Sequence, residues 1–469
     1  MARHPSLRST VSTPSQPPRS DAFVFFGATG DLAFKEIFPA LAGLVRDGLE
    51  IPIVGVARSG DLDSLRERAR ASLAAAGFKD ASATSALADR LRYVKGSDED
   101  VETFHALRRE IGQAAHPLHY LAIPPALFGP VVTNLQVSGC ADGARIVVEK
   151  PFGHDLDSAQ ALNRLIHGVF AEQDVFRIDH YLGKEPVQNL LYFRFANSFL
   201  EPIWDRNHIS SVQINMPEAF GVADRGAFYD SAGAVRDVIQ NHLLQVVSLL
   251  AMEPPSGHTA DAIRNEQFKV VDSIRPLQPD DIVRGQYRGY RQVKGVAPDS
   301  TVETYAALRL AVDTWRFDGV PFYIRTGKSL PVTVTEVLVE LKQPPQEVFA
   351  EDEPPDANYF RFRLTPDCSL SLVARAKKAG EEMIGETVEL MALHRDGTGD
   401  PPYQRLLGDA LRGDQALFAR EDWVEAAWRA MAGVLDLSDQ PFVYEPGTWG
   451  PAEAAKVLRP GDHWHQPSG

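Results

Sequence analysis

Between Ala22 and Glu149, short apolar runs alternate with segments of helical periodicity, and few folds accommodate that order. The runs are Ala22–Phe26, Ile51–Val56, Leu91–Lys95, His119–Ile123 and Ala144–Glu149. Leu32–Arg46, Ser64–Ala76, Glu99–Ile111 and Leu127–Ser138 lie between them and read as helices. Strands separated by helices lie parallel, because only a crossover returns the chain to the same end of a sheet. The expected fold is a doubly wound, Rossmann-like α/β domain, with Val175–Ile178 available as a sixth strand.

Past Ile178 the pattern changes. Alternating segments at Ser210–Met216, Thr304–Val312, Val320–Thr326, Val334–Leu341, Tyr359–Leu364, Ser369–Ala376 and Glu386–Leu393 follow nearly in succession, as in a large, predominantly antiparallel sheet. Helical patterns interrupt them at Ala234–Met252, Gln404–Arg412 and Glu421–Leu435, which makes this part α+β. A length of 469 residues then divides into a tail over 1–20, a dinucleotide-binding domain over 21–178 and a larger domain over 179–469. The tail carries Arg3, Arg8 and Arg19 among Ser and Pro without an apolar stretch, so it is expected to be disordered, with a targeting role as the alternative.

The charge balance limits the partners. A net charge of −15 repels phosphate backbones and anionic membranes, so nucleic acid and membrane are not expected partners. An anionic ligand must instead be held by a few placed cations. The two cysteines, Cys140 and Cys368, lack the spacing of a disulfide framework or a thiolate metal site, and a reducing cytoplasm fits them. The histidines show no HExxH, and His463 with His465 read as tail residues, so no metal is expected.

Five segments could carry chemistry. Phe26-Gly27-Ala28-Thr29-Gly30-Asp31-Leu32 follows the first strand and opens the first helix, where glycines let backbone N–H groups approach a pyrophosphate. The second strand ends in Ala57-Arg58-Ser59; Arg58 stands where an acid would select NAD, either with its guanidinium on the 2′-phosphate of NADP or as an ordinary solvent-facing arginine. Glu149-Lys150-Pro151-Phe152-Gly153 closes the fifth strand and puts Lys150 at the ligand crevice, with a Lys–Pro bond that could be cis. Arg177-Ile178-Asp179-His180-Tyr181-Leu182-Gly183-Lys184 sits at the domain junction, where it could bind a phosphate and orient a base or serve as a salt-bridged turn. In Ala234–Met252, His242 falls within an apolar arc, either as a satisfied core residue or as a tuned base. At about 100° per residue Asp237 lies on a different side of that helix.

In this order GATGDL, VARS, EKPFG, RIDHYLGK and RDVIQNH closely resemble the glucose-6-phosphate dehydrogenase family, from about residue 22 to about 464. The resemblance implies oxidation of glucose 6-phosphate at C1 to the lactone with NADP⁺, or NAD⁺, as hydride acceptor; the alternatives are a dehydrogenase of another sugar or sugar phosphate and a non-catalytic regulatory relative. It assigns His242 as base and Asp179 as its orienting carboxylate. His180, Tyr181, Lys184 and Lys328 would bind the sugar phosphate, while Glu218 and Asp237 would accept from sugar hydroxyls. Lys150 would touch substrate and cofactor, and Gly27, Thr29, Gly30, Asp31, Leu32, Arg58 and Pro151 would line the cofactor. The larger domain would bind substrate and form a homodimer or homotetramer through its sheet. Two segments depart from the family pattern: Phe34-Lys35-Glu36 leaves a single cation after the glycine turn, and Thr333 stands where a second phosphate-binding cation is frequent.

Overall fold

A computed structural model describes residues 17–346, 348–349, 357–381, 383–393 and 400–468. Most of the expected tail, residues 1–16, lies outside the described residues. Pro18 and Ser20 are tethered: Arg145 donates to the Pro18 carbonyl at 2.7 Å, and the Ser20 N–H donates to the Leu411 carbonyl at 2.8 Å.

The first sheet contains β1 (Ala22–Phe26), β2 (Ile53–Ala57), β3 (Leu91–Lys95), β4 (Pro117–Leu121), β5 (Arg145–Glu149) and β6 (Val175–Ile178). Their order is β3-β2-β1-β4-β5-β6, and every neighbouring pair is parallel. Such strands need apolar residues on both faces, since helices cover both. In β1, Val24 and Phe26 pack on one side with Phe104 and Val131, while Phe23 and Phe25 pack on the other with Phe38 and Leu41. Helices at Ala81–Arg90, Leu156–His167, Glu185–Ala196 and Ala260–Asp272 join those expected from periodicity. Two of these begin at an aspartate N-cap: Asp80 accepts from the Ala83 N–H, and Asp155 from the Ser158 N–H.

The second sheet contains β7 (Ile209–Pro217), β8 (Ile282–Tyr287), β9 (Tyr305–Ala311), β10 (Pro321–Gly327), β11 (Thr335–Leu341), β12 (Tyr359–Thr365), β13 (Ser369–Lys377), β14 (Gly385–Leu393) and β15 (Phe442–Tyr444). The order is β14-β13-β12-β11-β7-β10-β9-β8-β15, antiparallel except where β7 meets β10 and β8 meets β15. Strand β10 lies beside β7 because β8 and β9 intervene in the chain but stack outward beyond it.

Two long-range returns were not apparent from local pattern. Helix Pro402–Arg412 lays Leu406, Leu407 and Ala410 into the core of the first sheet, and the Phe418 ring meets Phe176 edge-on at 4.9 Å. That core is therefore not completed within residues 21–178. At the C-terminus, His463 and His465 are not loose tail residues as expected. The His463 carbonyl accepts from Gln213 at 2.9 Å, and the His465 ring meets Glu336 at 2.6 Å, which straps the segment across the second sheet.

Candidate active site

In this strand order the chain leaves β1 and β4 toward opposite sides, and a crevice opens at their carboxyl ends. Gly27 lines its floor with φ at +77°, and a Cβ there would stand 2.2 Å from the Ala122 carbonyl oxygen of the turn after β4. Only glycine fits both constraints. The Gly30 N–H closes the turn on the Gly27 carbonyl at 2.8 Å, which leaves the helix starting at residue 33 aimed at the crevice. These features fit a bound dinucleotide. The turn separates two cavities: Leu32, Lys150 and Pro151 border one of about 910 Å³, and Thr29 borders another of about 440 Å³. Asp31 is exposed at the turn. Arg58 is exposed at the end of β2, close enough to Asp98 to oppose the rise that burial imposes on that carboxyl's pKa. Tyr93 braces the turn after β2 by donating to the Ser59 carbonyl, next to Arg58, at 2.6 Å.

The larger cavity brings together Lys150 from the end of β5, His180, Tyr181 and Lys184 from the junction, Glu218 from the end of β7, Asp237 and His242 from one helix, and Lys328 after β10. The Lys150–Pro151 peptide is cis. His242 is buried, and its Nδ1 lies 2.5 Å from Asp179 Oδ1 while its Nε2 lies 2.9 Å from the Lys150 ammonium. An ammonium can only donate, so Nε2 carries the lone pair and Nδ1–H donates to Asp179. Asp179 Oδ1 also accepts from the Tyr181 N–H at 3.0 Å, which fixes the carboxylate.

The helical wheel separates Asp237 from His242, yet Lys150 reaches both, donating to the Asp237 carbonyl at 2.8 Å and approaching its Oδ1 at 3.3 Å. The cause is the winding. Val235–Leu243 is a π-helix, whose bonds run from residue i to i+5, so residues five apart become neighbours on one face. Asp237 and His242 are such a pair.

Electrostatics set the protonation states. Burial, followed by the Lys150 cation, pulls the His242 imidazole below its ordinary range against the opposing Asp179, so it stays neutral. Burial acts to raise Asp179, but His242, His180 and Lys150 outweigh it and hold the carboxylate ionised. Burial and the neighbouring His242 bring His180 down to about 3, which leaves it a neutral donor. The Tyr181 ring stacks on His242 at 4.4 Å, and the Lys184 ammonium lies 3.9 Å above the Tyr181 ring. Lys328 is ion-paired to Glu218. Asp179, His180 and His242 also lie close enough to hold a metal ion. Asp179 and His242 are already bonded to each other, however, and Lys150 supplies a cation at Nε2.

Both departures from the resemblance have local explanations. Thr333 Oγ1 accepts from the Ala219 N–H at 2.8 Å, so it fixes the turn that carries Glu218 at the cavity rim. Glu36 is partly buried, and burial raises its pKa; it acts on Tyr120 and Tyr403 of the interior instead of adding an exposed anion at the turn. Sequence reading missed several lining residues. Glu149 accepts from Tyr120 and Tyr403, and desolvation raises it to about 7. Tyr403 arrives from the returning helix, with no local motif to announce it. Arg225 and Arg236 also border the cavity; Arg236 is tied to the His154 carbonyl at 2.9 Å and to Asp436.

Comparison with known proteins yields two family matches, to "Glucose-6-phosphate dehydrogenase, NAD binding domain" over residues 24–189 and to "Glucose-6-phosphate dehydrogenase, C-terminal domain" over residues 191–465. The chain is 45% identical to glucose-6-phosphate 1-dehydrogenase 1 of Mycobacterium tuberculosis, over 96% of this chain and 97% of the relative. It is 38% identical to a cytoplasmic isoform from Solanum tuberosum, covering 93% of this chain and 91% of that one. Among solved structures, the Mycobacterium avium glucose-6-phosphate 1-dehydrogenase superposes with a TM-score of 0.89 at 45% identity, covering 96% of this chain and 99% of the other. A glucose-6-phosphate dehydrogenase in complex with glucose-6-phosphate superposes with a TM-score of 0.88 at 33% identity, covering 97% and 100%.

Proposed function

Since this chain belongs to the glucose-6-phosphate dehydrogenase family, we propose that it oxidises D-glucose 6-phosphate at C1 to 6-phospho-D-glucono-1,5-lactone with NADP⁺. The observation that carries the mechanism is the Asp179–His242–Lys150 line, with the imidazole lone pair turned into the cavity.

His242 Nε2 removes the proton of the C1 hydroxyl as the C1 hydrogen departs with its electron pair, and C1 and its oxygen become the lactone carbonyl. The bound nicotinamide supplies the acceptor for that hydride. Asp179 holds the ring in the tautomer that presents Nε2 and stabilises the imidazolium formed. Lys150 has two effects: its charge keeps His242 neutral beforehand, and its ammonium can donate to the sugar oxygen that takes its place at Nε2. His180, Tyr181, Lys184 and Lys328 are proposed to hold the phosphate. Glu218 and Asp237 are proposed to accept from sugar hydroxyls. Gly27, Thr29, Gly30, Asp31, Leu32 and Pro151 would line the dinucleotide, and Arg58 would grip its 2′-phosphate.

Steady-state assays with glucose 6-phosphate and either NADP⁺ or NAD⁺ test this reading. Turnover favouring NADP⁺ is expected, with free glucose a much poorer substrate; no turnover with either cofactor on folded protein would refute it. Arg58→Ala should reduce discrimination for NADP⁺ over NAD⁺, and unchanged discrimination would remove Arg58 from the 2′-phosphate site.

We further infer a homodimer or homotetramer joined through the outer strands of the second sheet. Met383, Ile384, Leu390 and Met391 are exposed there, a patch that a second copy would cover. Light scattering should give at least twice the 51.6 kDa chain mass. A reducing, cytoplasmic setting is supported by Cys140 and Cys368, two buried cysteines far apart in the sequence. Among the described residues, no helix is long and apolar enough to cross a membrane.

A further inference from the structure

The 440 Å³ cavity beyond the glycine turn lies at the carboxyl ends of β1 and β2, where an adenosine ribose sits in a sheet of this order. Sequence pattern places Arg58 at this end of β2, but the side chains that border the cavity include those of Thr29, Phe34, Ser64, Glu67, Arg68 and Tyr93, with Arg58 exposed beside it. A second guanidinium enters from the helix Leu62–Ala75, whose start is fixed beside Ser59 and Gly60 by the reciprocal Asp61–Ser64 cap. Arg68 crosses from this helix to the glycine turn and donates from Nη2 to the Gly30 carbonyl at 2.9 Å. Its guanidinium lies over the Phe34 ring, 5.0 Å from the centroid. Its Nε is shielded from solvent and has no hydrogen-bond partner among the described residues.

A secondary phosphate carries between one and two negative charges near neutrality, so one exposed guanidinium neutralises only part of it. Arg68 is held in place at both ends, by Gly30 and by Phe34, and borders the cavity with its charge unpaired by any carboxylate in an ion pair among the described residues. A ribose hydroxyl offers no charge to match it. We propose that Arg68 is the second cation of a clamp on the adenosine 2′-phosphate, with Phe34 as its platform, and that it sets preference for NADP⁺ over NAD⁺. Phe34, which looks like a lost cation in the sequence, then positions one supplied by another helix. This inference rests on reading the cleft as a dinucleotide site.

Calorimetric titration of the full chain with adenosine 2′,5′-bisphosphate and with 5′-AMP tests it, because the two probes differ only in the 2′-phosphate. Arg68→Gln retains a donor for Gly30 but removes the charge. Its affinity for the bisphosphate should fall at least about tenfold, while 5′-AMP affinity changes less than about twofold. Arg68→Lys should keep much of the bisphosphate affinity, and serves as the comparison if the Gln variant is unstable by thermal unfolding. Equal weakening of both probes would mark Arg68 as a support for the turn and overturn the proposal, as would no change in either. Failure of the unsubstituted chain to bind either probe would instead overturn the dinucleotide reading, and this inference with it.

Discussion

His242 has one nitrogen committed to Asp179 and the other facing the cavity, so its contribution should be chemical more than adhesive. His242→Asn is expected to lower kcat by roughly 10²–10⁴-fold with KM for glucose 6-phosphate changed only a few-fold; a large KM rise at unchanged kcat would show a binding role. The pH profile follows from the depressed imidazole pKa. Protonated His242 cannot accept the substrate proton, so kcat/KM should stay level as pH falls through about 6.5, the ordinary histidine value, and drop only below it. Removing the cation with Lys150→Met should move this acid limb to higher pH. Residue identity made much of this site legible: Asp179, His180, Tyr181, Lys184 and His242 lie together as their motifs imply. The pairing of Asp237 with His242 was not legible, because a wheel assumes α-winding and the helix is π-wound.

At the scale of single elements, β1 and β4 each carry a constraint with a measurable consequence. The β1 turn tolerates no side chain at Gly27, where positive φ and the Ala122 carbonyl both exclude a Cβ. Gly27→Ala should cost about 1–3 kcal/mol and raise KM for NADP⁺; unchanged Tm and KM would show that the turn yields freely. In β4, His119 is fully buried, bonded by Nε2 to the Cys140 carbonyl at 2.8 Å, and its Nδ1 has no hydrogen-bond partner among the described residues. Burial lowers its pKa to about 4. Below about 6.5 the unfolded chain takes up a proton that native His119 refuses, so stability is lost as pH falls from there toward about 4, by on the order of 3 kcal/mol. His119→Gln keeps a donor for Cys140 and should flatten the fall of Tm between pH 7 and 4.5; an unchanged fall would assign it to other groups. The parallel strands were legible because burial on both faces writes continuous apolar runs. Helix Ala81–Arg90 was not, since Ala, Ser and Thr give it little apolar periodicity.

Across the whole molecule, the two sheets do not divide the chain cleanly. Leu406, Leu407 and Phe418 complete the core beneath the first sheet, and Tyr403 from the same segment reaches Glu149 in the cavity. Leu407→Ala should destabilise the chain by about 2–5 kcal/mol, read by urea denaturation. A fragment of residues 17–190 should lack a cooperative unfolding transition; a sharp transition would show that the first sheet closes its own core. Local periodicity cannot reveal such a contact, because Gln404–Arg412 reads only as an amphipathic helix without an address. The acidic average of −15 is consistent with this arrangement, since the cations that matter are gathered at the junction and the glycine turn from segments far apart in sequence. The returning helix also imposes an order on synthesis. When the ribosome has released the last strand of the first sheet, about 220 residues remain before Pro402 appears, which at ~5–20 residues per second is a delay of roughly 10–45 s. Throughout that interval the nascent nucleotide-binding half carries an uncovered apolar face. That face stays open to water and to other chains until Leu406, Leu407 and Ala410 have been made and can pack on it.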